Sequence, residues 1–166
     1  MSDFIYITAL GEDSHTFSRE AKPLVLAGVC LSETGGLAAN SDGDLILHAC
    51  CHAIASLAGI DPFLGPPADQ LCAAGERDSV VYLERQWAEA LAACPSLEIL
   101  HVSVSIEAKR PKLYPHFQVM RQRLAEVLKL SASAVGITAH TGEGLSAVGR
   151  GEGMACRVLI SARRRT

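Results

Sequence analysis

Two short stretches of this 166-residue chain carry side chains able to build one open metal site. Asp13-x-His15 follows an apolar run, Phe4 to Leu10, whose composition predicts a strand. In extended backbone, residues two apart project to the same side, so Asp13 and His15 can close on a single ion. The second stretch is Asn40-Ser41-Asp42-Gly43-Asp44, followed by Leu-Ile-Leu and then His48. His48 falls in a predicted helix and completes a set of two imidazoles and one carboxylate. Three protein ligands leave a fourth tetrahedral position open, which is how catalytic zinc differs from structural zinc. An enzyme is therefore the leading reading. Asp44, one turn before His48, either orients that imidazole from outside the ligand set or is a helix N-terminal carboxylate favoured by the macrodipole.

Three further segments carry chemistry. Thr138-Ala-His140-Thr141-Gly142-Glu143-Gly144 leaves a predicted strand as a glycine-bearing turn. Its backbone N–H groups and threonine hydroxyl suit phosphate oxygens, and Glu143 suits a hard divalent ion bridging them. The pattern G-x-x-x-x-G-K-[ST] is absent, so this is not a Walker nucleotide site. Gly149-Arg150-Gly151-Glu152-Gly153 offers either an anion-binding arginine or an Arg150–Glu152 pair across a tight turn. Arg110-Pro111-Lys112-Leu113-Tyr114-Pro115 is a stiffened loop. Its main chain can hydrogen-bond a flat base edge, or its cations are ordinary solvated groups.

Phe4 to Leu10 and Leu24 to Leu31 are predicted strands, with Gly28 marking a bulge. Asp44 to Leu57 has helical length, and Asp44, His48 and His52 recur at i, i+4 and i+8 on one face. Pro62, Gly65, Pro66 and Pro67 predict a loop. Asp78 is an N-cap for a second helix through Val80, Leu83, Trp87 and Leu91. Leu100 to Glu107 is a strand whose apolar Leu100, Val102, Val104 and Ile106 alternate with His101, Ser103, Ser105 and Glu107. A third helix follows Pro115 with Phe117, Met120, Leu124 and Leu128 on its apolar stripe. Val135 to Ala139 and Met154 to Ser161 are the last strands. This order predicts an α/β (α+β) fold, a single-domain sandwich over residues 1–166 with a mixed β-sheet and helices packed on one face. The polar alternate face of the 100–107 strand needs water or another subunit, which favours a symmetric oligomer.

Composition sets the outer bounds. The chain is long enough to bury a core without disulfides, and 49% of it is apolar. No apolar run approaches the ~20 residues of a membrane span. Met-Ser-Asp-Phe has neither the basic nor the apolar region of a leader peptide, so the expected location is cytoplasmic. A net charge of −3 argues against nonspecific nucleic-acid binding, and Arg163-Arg164-Arg165 reads as a solvated terminus. The six cysteines contain no C-x-x-C pair and are expected to be buried thiols.

Taken in order, these motifs resemble one family over roughly Gly11 to Ile160. Asp-x-His, Ser-Asp-Gly-Asp-x3-His, Asp-Ser, Arg-Pro-Lys-x-x-Pro-His, Thr-x-Glu and Gly-Arg-Gly-Glu-Gly look like the 2-C-methyl-D-erythritol 2,4-cyclodiphosphate synthases. The resemblance implies a phosphorus–oxygen lyase of non-mevalonate isoprenoid biosynthesis, working as a homotrimer with active sites between subunits. It implies zinc on Asp13, His15 and His48, and magnesium or manganese near Glu143. The implied substrate is 4-diphosphocytidyl-2-C-methyl-D-erythritol 2-phosphate, whose 2-phosphate attacks the β-phosphorus and expels CMP. Thr141 matches a threonine that stabilises the transition state. Ala108 to Tyr114 matches the loop that reads cytosine, with Pro111, Lys112 and Leu113 within it. Ser41, Gly65 and His140 fall among the substrate-binding positions. Arg150 falls near the trimer axis, where members of the family can hold a prenyl diphosphate.

The chain departs from the family pattern at identifiable places. Asn40 replaces a histidine that serves as a second transition-state stabiliser. Cys51-His52-Ala53 stands for Thr-Asp-Ala, and His140-Thr141-Gly142-Glu143 for Thr-Thr-Thr-Glu. The segment Phe63 to Asp69 keeps Gly65 but has no counterpart for the aspartate that grips the ribose, leaving Asp61 as the candidate. Two other readings follow from these departures: a non-catalytic trimeric binding protein for a prenyl diphosphate or nucleotide, and a lyase acting on a different diphosphate ester. CMP release separates them.

Overall fold

The computed structural model describes residues 3–166; Met1 and Ser2, which open the segment read for a leader, lie outside it. Strand β1 (Phe4–Thr16) is followed by a short hairpin of β2 (Leu24–Leu26) and β3 (Val29–Ser32). Helices α1 (Leu45–Ala58), α2 (Pro66–Ala73) and α3 (Ser79–Ala93) come next, then β4 (Glu98–Ala108) and α4 (Phe117–Leu128). The chain ends with β5 (Val135–His140), the short α5 (Ala147–Arg150) and β6 (Gly153–Arg165). The main sheet runs β1-β6-β4-β5 and is mixed: β6 is antiparallel to both neighbours, whereas β4 and β5 are parallel and joined through α4. The expected α/β sandwich is therefore the fold.

Period-2 burial shows which face the helices cover. On β6, Met154, Cys156, Val158, Ile160 and Ala162 are buried, while Arg157 and Leu159 between them are exposed. On β1 the inward set is Ala9, Gly11, Asp13 and His15. Leu10 and Leu159, directly opposite one another, lie on the uncovered face at 51% and 44% exposure. Arg157 pairs there with Glu12 at 2.7 Å.

α1 is the central helix, apolar almost all round as a fully covered helix must be. His52, Ser56 and Ala58 are its only residues outside the buried set. It packs on β1 and β6 beneath and on α3 at its side. Gly11 makes the helix–strand contact possible, because a Cβ there would lie 1.9 Å from the Ala49 carbonyl oxygen and 2.7 Å from the Ala53 nitrogen. Ala49 and Ala53 are themselves small, so two backbones meet with no side chain between them.

Several expectations are corrected. Leu24 to Leu31 is a hairpin, since Ala27 and Gly28 both take positive φ (55° and 72°), the requirement of a tight two-residue turn. The proline-rich stretch opens α2, with Pro66 and Pro67 in its first turn, where a missing N–H costs nothing. β1 extends through Thr16, so Asp13 and His15 sit within the strand. Leu100 falls at a register shift between Ile99 and His101, which lets both Ile99 and Val102 face the core. Cys50, Cys51 and Cys156 are buried thiols, but Cys30 is exposed and Cys72 and Cys94 are half-buried. Asp78 caps α3 as expected, accepting from the Val80 N–H at 2.8 Å.

Gly11→Ala is expected to destabilise the fold by about 3 kcal/mol or more, because the helix must lift off the strand. The urea midpoint measures this, and wild-type stability in the variant would contradict the close approach.

Candidate metal centre and its cleft

The strand and the helix joined at Gly11 deliver the ligand set. Asp13 lies two residues further along the same face of β1, and His48 immediately precedes Ala49 on α1. Asp13 Oδ2 is 3.0 Å from His15 Nε2 and 3.1 Å from His48 Nδ1. One ligand atom from each of the three residues lies within 4.8 Å of the others. The imidazoles meet edge to face, with ring centroids 5.8 Å apart. Burial pushes the Asp13 carboxyl up, but the adjacent His15 and His48 rings together hold it well below the ordinary carboxylate range.

A second layer fixes the His48 ring. Its Nε2 lies 2.9 Å from Ser79 Oγ and 3.3 Å from Ser41 Oγ. Ser79 Oγ donates to Asp42 Oδ1, and the Ser79 N–H donates to Asp42 Oδ2 at 3.1 Å. A hydroxyl that donates to a carboxylate must accept from the ring, so Nε2 carries the proton and the Nδ1 lone pair faces Asp13. Tyr82 stacks on the same ring at 6.3 Å and 25°. The loop before α1 is tied down by Lys22, whose Nζ donates to the carbonyls of Ala39 (2.9 Å) and Ser41 (2.6 Å).

This donor set fits a divalent metal. Three electron-pair donors converge, and His15 Nε2 is fully buried with no hydrogen-bond partner despite its nearness to Asp13. Two imidazole nitrogens and one carboxylate oxygen match the composition of open zinc sites.

Asp44 does not orient His48. Its Oδ1 accepts from the Ile46 and Leu47 N–H groups at 3.1 and 3.2 Å, and its Oδ2 accepts from the Gly28 N–H at 2.6 Å. It is the N-cap of α1 and ties that helix to the β2–β3 turn. Complete burial, with the Asp42 carboxylate nearby, pushes its acid group up to about 7 against these backbone donors. The orienting carboxylate is Asp42, acting through Ser79. The Asp-Ser pair at 78–79 carried that signal in the sequence, as the helix cap and the residue after it.

The metal set opens into a cleft of about 470 Å³ that also contains Asn40, Ser41, His52, Gly65 and Asp69. Asn40 Nδ2 donates to Asp69 Oδ1 at 3.3 Å, joining the loop to α2. Asp61 is exposed and does not line the cleft; Asp69, one of the residues overlooked in the sequence, does. Ala108, Pro111, Lys112, Leu113, Tyr114, His140 and Thr141 come together in a second cleft of about 260 Å³. The two clefts share no lining residue. Glu143 stands beside the second cleft, accepting from Thr141 Oγ1 at 2.9 Å, with φ at 50°. Arg150 is exposed and pairs with Glu152 at 2.9 Å, the second of its two sequence readings.

Fold and site together define an α/β protein with three converging side chains able to hold a metal ion at the floor of an open cleft. The model of the YgbB family matches residues 6–163. A relative from Chlamydia muridarum (strain MoPn / Nigg), 2-C-methyl-D-erythritol 2,4-cyclodiphosphate synthase, is 44% identical over 163 residues, covering 96% of this chain and 89% of its own. A solved 2C-methyl-D-erythritol-2,4-cyclodiphosphate synthase in a CDP-bound form superposes with a TM-score of 0.80 at 31% identity, over 93% of this chain and 98% of that one. The bifunctional IspDF from Campylobacter jejuni superposes at 0.87 and 31% identity over 97% of this chain, which spans 43% of that longer one. The chain belongs to the YgbB family, the family of the 2-C-methyl-D-erythritol 2,4-cyclodiphosphate synthases.

Ser79→Ala removes the hydroxyl that fixes the His48 tautomer. Zinc affinity is expected to fall ~10–100-fold with the fold intact. Chelator competition measures it, and an unchanged affinity would show that the hydroxyl does not orient the ring.

Proposed function

We propose that this chain, as one domain over residues 1–166, is a cytoplasmic cyclodiphosphate synthase. It converts 4-diphosphocytidyl-2-C-methyl-D-erythritol 2-phosphate to the cyclic diphosphate and CMP. The observation that carries the reading is the convergence of Asp13, His15 and His48 in a chain 44% identical to a synthase over 163 residues. An oxygen of the 2-phosphate attacks the β-phosphorus, the bond from that phosphorus to the oxygen bridging to the α-phosphate breaks, and CMP leaves with its electron pair. No covalent protein nucleophile is needed, so the protein's task is to hold two mutually repelling phosphates in line.

Zinc on Asp13, His15 and His48, with magnesium or manganese near Glu143, supplies Lewis-acid neutralisation of the phosphate charge when bound. Ser41 and Asn40 present polar groups beside the zinc ligands, and Gly65 offers unobstructed main chain at the cleft wall. Thr141 supplies a hydroxyl at the other cleft, where Ala108, Pro111, Lys112, Leu113 and Tyr114 form the cytosine pocket with His140. Because the two clefts are separate within one chain, the reading has them meet across a subunit boundary in a homotrimer. The uncovered sheet face, with Leu10 and Leu159 exposed on it, supports such an assembly. Arg150, near the axis, is the candidate contact for a prenyl diphosphate.

Protein supplied with zinc and magnesium is expected to sediment as a trimer and to release CMP from this substrate. Asp13→Ala is expected to lose bound zinc and CMP release together. A zinc-loaded trimer that releases no CMP would refute the catalytic reading.

A further inference from the structure

His52 lies one turn beyond His48 on α1, about 6 Å along the helix axis. It is one of three residues of that helix left outside the buried set, and its ring lines the metal cleft. Among the described residues it has no hydrogen-bond or ion-pair partner, whereas both nitrogens of His48 are engaged. The charge of the cleft gives that ring a purpose. No lysine or arginine lines it, and Asp69 adds a negative charge of its own. Asn40 directs an amide N–H to Asp69 and cannot become cationic. Outside the metal ligands, His52 is therefore the one imidazole of the cleft, and its ring N–H has no protein acceptor to compete with an anion.

We propose that His52 donates a hydrogen bond to a phosphate oxygen of the nucleoside diphosphate ester bound in the metal cleft. The inference rests on the synthase reading for its ligand class. It rests on the unpartnered ring, and on the absence of a lysine or arginine among the residues lining this cleft, for its residue. A ring N–H one helical turn beyond His48 is placed to hold a phosphate oxygen that the Asp13, His15 and His48 set would leave free. No proton leaves the ring in this role.

The test compares wild type, His52→Ala and His52→Gln as zinc-loaded oligomers, with metal content and circular dichroism as controls. CDP and cytidine are the binding probes, because they differ only in the diphosphate. His52→Ala is expected to lose CDP affinity by about 10-fold or more, with cytidine affinity and zinc content unchanged. His52→Gln, which keeps a neutral donor, should recover part of the loss. In turnover, kcat/KM for CMP release should fall ~10²-fold in His52→Ala. A wild type that binds CDP yet releases no CMP would defeat the synthase reading alone, and the binding comparison would still decide the His52 contact. A loss of CDP affinity under about threefold in His52→Ala, an equal loss for cytidine, or a wild type that does not bind CDP would overturn it.

Discussion

The contact between α1 and β1 at Gly11 brings two backbones together where a single methyl group would collide with the Ala49 carbonyl oxygen at 1.9 Å. The Asp13, His15 and His48 set descends from that close approach. A β-strand places Asp13 on the same face as Gly11, and a helix places His48 next to Ala49. The remaining separation between carboxylate and imidazole is 3.1 Å. A larger residue at position 11 would separate the two supports, because packed interiors transmit such strain instead of absorbing it. The apolar sheath of α1 secures the helix from its other sides, so the ligands hang on rigid elements.

Carboxylates at positions 42 and 44, two residues apart, divide two kinds of work. Asp44 turns inward, caps α1 and reaches the Gly28 N–H, which makes it part of the scaffold. Asp42 grips Ser79 through both oxygens and so sets the tautomer of His48. The three converging side chains are thus held from three directions: the strand below, the helix that carries His48, and the first turn of α3. Other groups lining the cleft lie on less anchored parts, Asn40 on a loop and Asp69 on a short helix with one buried residue. That division suits a site whose metal geometry must be rigid and whose ligand contacts must adapt.

Much of this was legible in the sequence because local patterns and tertiary outcome agree. The D-x-H pair reads directly as two side chains on one strand face, and His48 at helical spacing reads as facing out of the core toward them. The alternation from His101 to Glu107 gave a sheet with one uncovered face. What failed did so for stated physical reasons. Leu24 to Leu31 looks like one apolar strand because nothing in its composition except Gly28 marks a turn, and Ala27 at positive φ is unfavourable on its own. Pro66 and Pro67 look like loop formers until one sees them in the first turn of α2. The role of Ser79 depends on which carboxylate meets it, and the choice between Asp42 and Asp44 is made by the twist of the loop, which no spacing rule encodes. Asp69 was hidden for a similar reason, since its nearness to Asn40 arises only when α2 folds back over the cleft.

Asp13, His15 and His48 are placed to hold one divalent ion. X-ray absorption at the zinc edge, on protein loaded with one equivalent of zinc, tests it without reference to turnover. The expected inner shell holds nitrogen and oxygen scatterers, with two imidazoles at about 2.0–2.1 Å and no sulfur. The imidazole signal should fall by about half in His15→Ala, since one of two rings is removed. A sulfur scatterer at about 2.3 Å, or a spectrum unchanged in His15→Ala, would contradict it.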